Sequence, residues 1–315
     1  MRRPLRVAFI DRCYGSLDPV LEALAPHYAV AIDEAAPDAV FCGDEHESGH
    51  LAHPGALKIL LQHENRHPDF STYHYAVGLR ALDHPRWFRM PLYVRTSKPE
   101  QLIKSPDFAE RTVARKAKFC TLVATNANTV RVWRRLALAD ALDGQKPLDF
   151  GGPYRNNVGG PVADKLAFYQ PYRFAVAFEN GGMRGHTTEK ITDAMVAGCI
   201  PVFWGNPDVA QEFNSKSFVN AYEFNSLDAL VARVLEIENS PALYRQYLRE
   251  PYFHDNRPNE HFDLTRLGAF LQRAIDSPKP ALATFYPPYR WYDWTRKLGF
   301  VADWALGKAG LARWG

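Results

Sequence analysis

The sequence predicts an α/β protein of two Rossmann-like domains facing across a cleft, with a C-terminal helical tail. Three observations carry this. Apolar runs of strand length alternate with helical patterning in two successive series, as expected for parallel sheets covered by helices. A polar, basic stretch at 96–117, "TSKPEQLIKSPDFAERTVARKA", separates the series and reads as a linker or surface helix. The 315 residues exceed one simple core and suit two domains of roughly 150 residues each. The expected division is one Rossmann-like domain at 1–115, a second at 116–258 and a helix with an aromatic, basic tail at 259–315.

The first series opens on "LRVAFID", a short run with β-branched and aromatic residues, typical of a buried strand. "LDPVLEALAPH" follows with Leu17, Val20, Leu21 and Leu24 on one helical face. "DAVFCGD", "LKILLQHEN", "YHYAVGL" and "FRMPLYV" continue the apolar runs. The second series runs from "FCTLVAT" through the helix "NTVRVWRRLALADAL" to "PLDFGG" and "FAVAFEN". In "GHTTEKITDAMVAGCIPVFWG", Thr187 or Thr188 can cap a helix. Ile191, Ala194 and Met195 share a face there, and Gly198 suits the C′ position. "SFVNAYEF", the helix "SLDALVARVLEIENS" and the amphipathic helix "FDLTRLGAFLQRAID" complete the series.

Composition narrows the function classes. Hydrophobic residues at 46% and charged residues at 23% describe a globular chain. A net charge of +3 implies no polyanion partner, so nucleic acid is set aside. Cys13, Cys42, Cys120 and Cys199 are far apart, form no Cys-x-x-Cys motif and read as reduced thiols. The N-terminal apolar run is only a strand long, short of a signal peptide or of the ~20 residues of a span. Together these imply a cytoplasmic location, at the inner face of the membrane if the tail binds it.

In open α/β sheets, ligands sit outside the carboxyl ends of strands, so the residues after each apolar run are the candidates. Glu179 and Asn180 end "AVAFEN", where the alternative is a simple Asn-Gly-Gly turn. Glu189 suits the positive start of the next helix, whereas Lys190 opposes the dipole there. A Lys at a helix N-terminus suits a bound diphosphate and the neighbouring Glu a ribose diol; the alternative is a solvated surface pair. Glu64, just past "LKILL", is a candidate general base. His63, His67 and Asp69 beside it could also read as a weak metal site or as two solvated His. No Asp-x-Asp occurs in the chain, which removes the usual carboxylate pair for a divalent cation on a sugar nucleotide. Arg131, near a helix start, suits a phosphate, with Arg134 and Arg135 as competitors. Arg155 and Asn156 lie in the Gly-rich "DFGGPYRNNVGG", which matches neither the phosphate loop nor the dinucleotide fingerprint. In the tail, Trp291, Trp294, Leu298 and Val301 recur at helical spacing among Lys and Arg. That pattern fits peripheral membrane contact through 284–315, or a helix packed on the protein's own surface.

The order of these pieces resembles the α1,3/α1,4-fucosyltransferases of glycosyltransferase family ten, the bacterial members most closely. The resemblance is specific over about 119–253, carried by "FCTLVATNAN", "GGPYRNNVG" and "YRFAVAFENGGMRGHTTEKITDAMVAGCIPVFWGNPDVAQEFNSKSFVNAYEF". It is looser over 63–94, "HENRHPDFSTYHYAVGLRALDHPRWFRMPLYV". The resemblance implies a GT-B fold, GDP-L-fucose as donor, inversion at the anomeric carbon and no essential metal or other cofactor. It implies Glu64 as general base, Arg131 on the nucleotide, and Glu189 and Lys190 on the ribose and diphosphate. It also aligns the Phe-Glu-Asn motif with Phe178, Glu179 and Asn180. At 186 the chain has His where the bacterial members carry a Tyr that contacts the nucleotide, so His186 falls in the donor set. Arg184 beside it is a compensating candidate, and Glu179, Arg155 and Asn156 are further possible donor-binding residues. The implied acceptor is an oligosaccharide or glycolipid, fucosylated α1,3/α1,4 on GlcNAc or Glc, in a surface glycan such as lipopolysaccharide. The alternatives are a GT-B transferase using another GDP-sugar and a catalytically silent protein that binds a glycan or nucleotide sugar.

Overall fold

In the computed structural model, residues 2–45, 48–125, 129–283, 287–309, 312 and 314 are described; the side chains of 129, 131, 287–294 and 296 lie outside that description. The apolar runs become strands of two separate parallel sheets. The first holds β1 (Arg3–Ile10), β2 (Tyr28–Ile32), β3 (Ala39–Gly43), β4 (Leu57–Leu61), β5 (Tyr75–Gly78) and β6 (Trp87–Arg89), in the order β2-β1-β3-β4-β5-β6. The second holds β7 (Lys118–Leu122), β8 (Leu148–Phe150), β9 (Tyr172–Phe178), β10 (Ile200–Trp204) and β11 (Val219–Asn220), in the order β11-β10-β9-β7-β8. Counted within each sheet, the second runs 2-1-3-4-5, the flavodoxin-like order, and the first runs 2-1-3-4-5 with a sixth strand added at its edge. The chain reverses direction across the sheet between β1 and β3, and again between β7 and β9, so each sheet has its switch-point crevice there. β3, β4 and β5 are buried along their whole length, as parallel strands covered on both faces must be.

The chain divides into two units, one of 1–96 with 260–297 and the other of 97–259 with 298–315. The core of the first centres on Ala8, Val40, Leu60, Phe70 and Ala76. Its Asp18–Leu24 and Leu264–Asp276 helices pack on each other. The core of the second gathers Leu122, Leu138, Phe150, Phe174, Val176, Val202 and Leu230.

Local signals behave as their chemistry dictates. Thr188 caps the Glu189–Val196 helix, its hydroxyl accepting from the Lys190 N–H. Ile191, Ala194 and Met195 are buried on one face, and Gly198 ends the turn at φ +74°. Two stretches depart from the simple pattern. "FRMPLYV" is a strand only to Arg89; Pro91 cannot donate to a ladder, and Tyr93–Thr96 turns helical. The 96–117 stretch carries a helix at Phe108–Val113, with Leu102, Lys104, Ala109 and Thr112 buried. It is therefore not simply a linker or surface segment. Lys104 is held inside by the carbonyls of Leu248 and Glu250 and by the Tyr252 ring 3.8 Å away.

Candidate active site

The carboxyl end of β9 delivers Glu179 into the second unit's interior, where only 1% of it is exposed. An isolated buried carboxylate is costly, so its partners decide its charge. Its Oε1 accepts from the Thr188 N–H at 2.8 Å and the Thr188 hydroxyl at 2.6 Å. Its Oε2 accepts from the Lys190 ammonium at 2.8 Å. The His186 Nε2 lies 3.8 Å from the same oxygen. Burial alone would raise the Glu179 pKa, but Lys190, His186 and these hydrogen bonds hold it at about 2. Burial would likewise lower the Lys190 pKa, and Glu179 with Glu189 raises it instead. The pair is therefore ionised across the physiological range. Gly205, after β10, is needed beside it: a Cβ there would lie 2.4 Å from the Glu179 Cγ.

This accounts for the Lys at the wrong end of the helix dipole. Lys190 neutralises Glu179 and also donates to the Thr188 hydroxyl at 3.0 Å. It is not a solvated surface Lys, yet its side chain keeps 24% exposure beside the helix N-terminus, and Glu189 lies 3.9 Å from it.

Of the two described side chains, Arg134 and Arg135, it is Arg135 that joins this strand end. It is 4% exposed and donates to the Phe178 carbonyl at 3.0 and 2.6 Å and to the Asn180 Oδ1 at 2.7 Å. Arg134 is caged by the rings of Trp133, Trp204 and Trp314 at 4.7–5.2 Å and forks onto Asp303. Arg131 sits in the Thr129–Asp143 helix, and its side chain lies outside the described residues. His186 is 4% exposed, with Nδ1 2.9 Å from the Gly181 carbonyl, so its ring backs Glu179 from inside. Arg184 is an exposed partner of Asp208 at 2.6 Å. Arg155 pairs with Asp140 and Asp143, and Asn156 closes its own loop onto Gly152 and Gly160. These bonds of Arg184, Arg155 and Asn156 do not reach Glu179 or Lys190.

In the first unit, Asp44 follows β3 and is 6% exposed. Its Oδ2 accepts the N–H groups of His63 at 3.2 Å and Glu64 at 2.9 Å, and its other oxygen binds the His63 ring. Burial would lower the His63 pKa, but Asp44 raises it. The ring stacks on Tyr14 at 5.2 Å. Neither His63 nor His67 is solvated, since the His63 side chain is 9% exposed and His67 is buried. Among the described residues, no group of three His, Cys, Asp or Glu could hold a metal ion. The half-buried Glu64 is thus pinned through its backbone, and its carboxylate accepts no hydrogen bond from the described residues. Asp44 was not among the sequence candidates. It acts on residues nineteen and twenty positions away, a link no local spacing reveals.

Residues 113–261 match the family "Glycosyltransferase family 10 (fucosyltransferase) C-term", and residues 7–95 match "Alpha-(1,3)-fucosyltransferase FucT N-terminal domain". The chain belongs to glycosyltransferase family 10. The α-(1,3)-fucosyltransferase FucT of Helicobacter pylori is 32% identical over 232 residues, which is 64% of this chain and 48% of that protein. The chain therefore spans about half the length of that relative. The α-(1,3)-fucosyltransferase 4 of Homo sapiens is 32% identical over 137 residues, covering 41% of this chain and 25% of that protein. A crystal structure of an α1,3-fucosyltransferase with GDP-fucose is 25% identical, with a TM-score of 0.71, covering 90% of this chain and 94% of that one. The two parallel-sheet units are those of the GT-B class that the motifs implied, and a helical C-terminal region follows them. Within that region, Asp303 and Trp314 pack on the second unit. Asp303 accepts from Trp133 at 2.7 Å, and the Trp314 ring lies against Trp133 and Phe178.

Proposed function

We propose that the protein is an inverting, metal-independent fucosyltransferase. It moves L-fucose from GDP-β-L-fucose to a hydroxyl of a surface-glycan acceptor. The observation that carries this reading is the Glu179–Thr188–Lys190 cluster at the carboxyl end of β9. It sets a cation at the capped N-terminus of a helix, the local chemistry that suits a diphosphate.

In this reading the acceptor hydroxyl loses its proton to Glu64 and attacks C1 of fucose opposite the GDP. The C1–oxygen bond to the diphosphate breaks through an oxocarbenium-like transition state. Charge grows on the leaving diphosphate, and Lys190, Arg131 and the helix N-terminus stabilise it. Glu189 accepts from the ribose diol. Asn180 and His186 complete the donor set, with Glu179 holding Lys190 in place. A divalent cation is unnecessary because these cations take the role that Asp-x-Asp carboxylates give to a metal elsewhere.

The test is GDP affinity by calorimetry. Lys190→Ala is expected to weaken GDP binding about tenfold to a hundredfold, the weight of a charge-assisted contact. An unchanged dissociation constant would remove Lys190 from the diphosphate. The same titration with GDP-mannose and UDP-sugars identifies the donor.

The tail supports a second element of the reading, peripheral membrane contact. Trp291 and Trp294 have side chains outside the described residues, but Leu298, Val301 and Leu306 are 47–52% exposed and share a helical stripe with Ala302 and Ala305. Among the described residues, no helix is long and apolar enough to cross a membrane. Val301→Asp with Leu298→Asp is expected to lower co-sedimentation with anionic vesicles severalfold while leaving GDP affinity intact. Equal sedimentation of variant and wild type would remove this contact.

A further inference from the structure

In the tail helix (Pro287–Lys308), Phe300, Asp303, Trp304 and Gly307 are half-buried, while the other positions from 298 to 308 are exposed. That i, i+3, i+4, i+7 spacing marks a helix covered along one stripe. Two observations name what lies against the stripe. The Asp303 carboxylate accepts from the Trp133 indole at 2.7 Å and from the Arg134 guanidinium at 3.1 and 2.7 Å. Gly307 stands so close to the same indole that a Cβ there would lie 2.6 Å from its ring. Leu298, Val301 and Ala305 occupy the opposite side of the helix. The docked face is therefore not the one proposed to meet a membrane.

Beyond the helix, Trp314 returns to the core of the second unit and is only 6% exposed. Its ring lies 5.7 Å from Trp133 and 6.3 Å from Phe178. Phe178 is the last residue of β9, immediately before Glu179. The Thr129–Asp143 helix is thus gripped from two sides. Arg135 ties it to the Phe178 carbonyl and Asn180, and Trp133 and Arg134 tie it to the tail.

The second grip falls where the helix is weakest. Val132 departs from helical geometry, with φ −121° and ψ 19°. The turn that carries Arg131 is therefore not fixed to the rest by a regular hydrogen-bond ladder. The tail holds the two residues that follow the break. The Asp303 fork onto Arg134 is charge-assisted and bidentate, the stronger class of side-chain hydrogen bond, and the Arg134 side chain is 8% exposed. Undocking the tail would leave that guanidinium only the ring faces of Trp133 and Trp204.

We propose that the tail is a strap that completes the donor site, with Asp303 and Trp314 as positioning residues for nucleoside-diphosphate binding. They touch no reacting group. They act through Trp133, Arg134 and Phe178, which set the helix carrying Arg131 and the strand end carrying Glu179. Linkage then makes the effect reciprocal: a docked tail that raises nucleotide affinity is held more tightly, by the same factor, once the nucleotide is bound. This inference rests on the reading of the Glu179–Lys190 cluster as a diphosphate site.

The experiment is GDP calorimetry on the full chain with a matched pair of variants. Gly307→Leu drives a side chain into the Trp133 ring, whereas Gly299→Leu adds one in the same helix where nothing lies within 4 Å. Both replace a helical Gly by a better helix former, so they differ in docking. Gly307→Leu and Asp303→Ala are expected to weaken GDP binding about tenfold, within the usual range of coupling between sites, and Gly299→Leu to bind as wild type does. In the wild type, adding GDP should slow amide hydrogen exchange over 300–307. That measurement needs no variant, so it decides the matter should a variant fail to fold. Equal GDP affinity in Gly307→Leu and Gly299→Leu would make the tail a structural element only, even with a lowered melting temperature, and overturn the proposal. Unchanged exchange in the tail on adding GDP would overturn it too. A wild type that binds no GDP would sink the diphosphate reading and this inference with it; a wild type that binds GDP no better than the docking variants sinks this inference alone.

Discussion

Glu179→Ala is expected to destabilise the protein by about 3 kcal/mol, read as a lower midpoint in urea unfolding. Removing one partner of a buried pair strands the other as an uncompensated charge, at a cost of about 3–5 kcal/mol. The low end applies because the Lys190 side chain retains 24% exposure. The same residue makes a pH prediction. Its folded pKa of about 2 lies below its unbound value of 4.5. The stabilisation is therefore fully present above pH 4.5 and is lost as pH falls through about 2. Over that window it amounts to on the order of 3 kcal/mol. The stability difference between wild type and Glu179→Gln should shrink as pH falls from 4.5 to 2. Parallel stability curves over that interval would show that Lys190 does not hold Glu179 ionised. GDP affinity should fall in both variants, because Lys190 loses the carboxylate that orients it.

The second large effect is on turnover. Glu64→Gln is expected to lower kcat for fucosyl transfer by about 10²–10⁴, the range of a positioned base. Two controls separate this from a structural effect. Melting temperature should hold, since the Glu64 carboxylate accepts no hydrogen bond from the described residues and the Asp44 clamp acts on its backbone. The GDP dissociation constant should also hold, since the proposed donor ligands lie at 131 and 180–190. Wild-type turnover in this variant would remove Glu64 as the base, whereas a lowered melting temperature would move its role to the fold.

These two residues also show how much the chain reveals unfolded. Glu64 and Glu179 both stand immediately past apolar runs, and the switch-point rule for parallel sheets singles out such positions. Their candidacy was legible for that reason. Their partners were not. Lys190 looked misplaced against the helix dipole, and its placement makes sense only once β9 brings Glu179 beside it. Arg131 was favoured in sequence, with Arg134 and Arg135 as competitors, because i, i+3 and i+4 share one helical face and spacing does not separate them. Packing sent Arg135 to the Phe178 carbonyl and Arg134 into a cage of tryptophans. Arg155 and Asn156 looked available in a glycine-rich loop, and the fold uses them to tie that loop down. His63 and His67 read as solvated turn residues because Asp44 and Tyr14 arrive from other loops.

What the sequence determined by itself is the alternation of strand and helix, the cap at Thr188, the stop at Gly198 and the motif order of a family 10 glycosyltransferase. Each depends on neighbours within a turn or on fixed spacing along one element. Only the tertiary structure decided which charges meet and that Asp44 pins the backbone of Glu64. The physical reason is that burial and electrostatic pairing act through space. A carboxylate taken out of water takes the partner that the sheet order places beside it, however far away that partner stands in the chain.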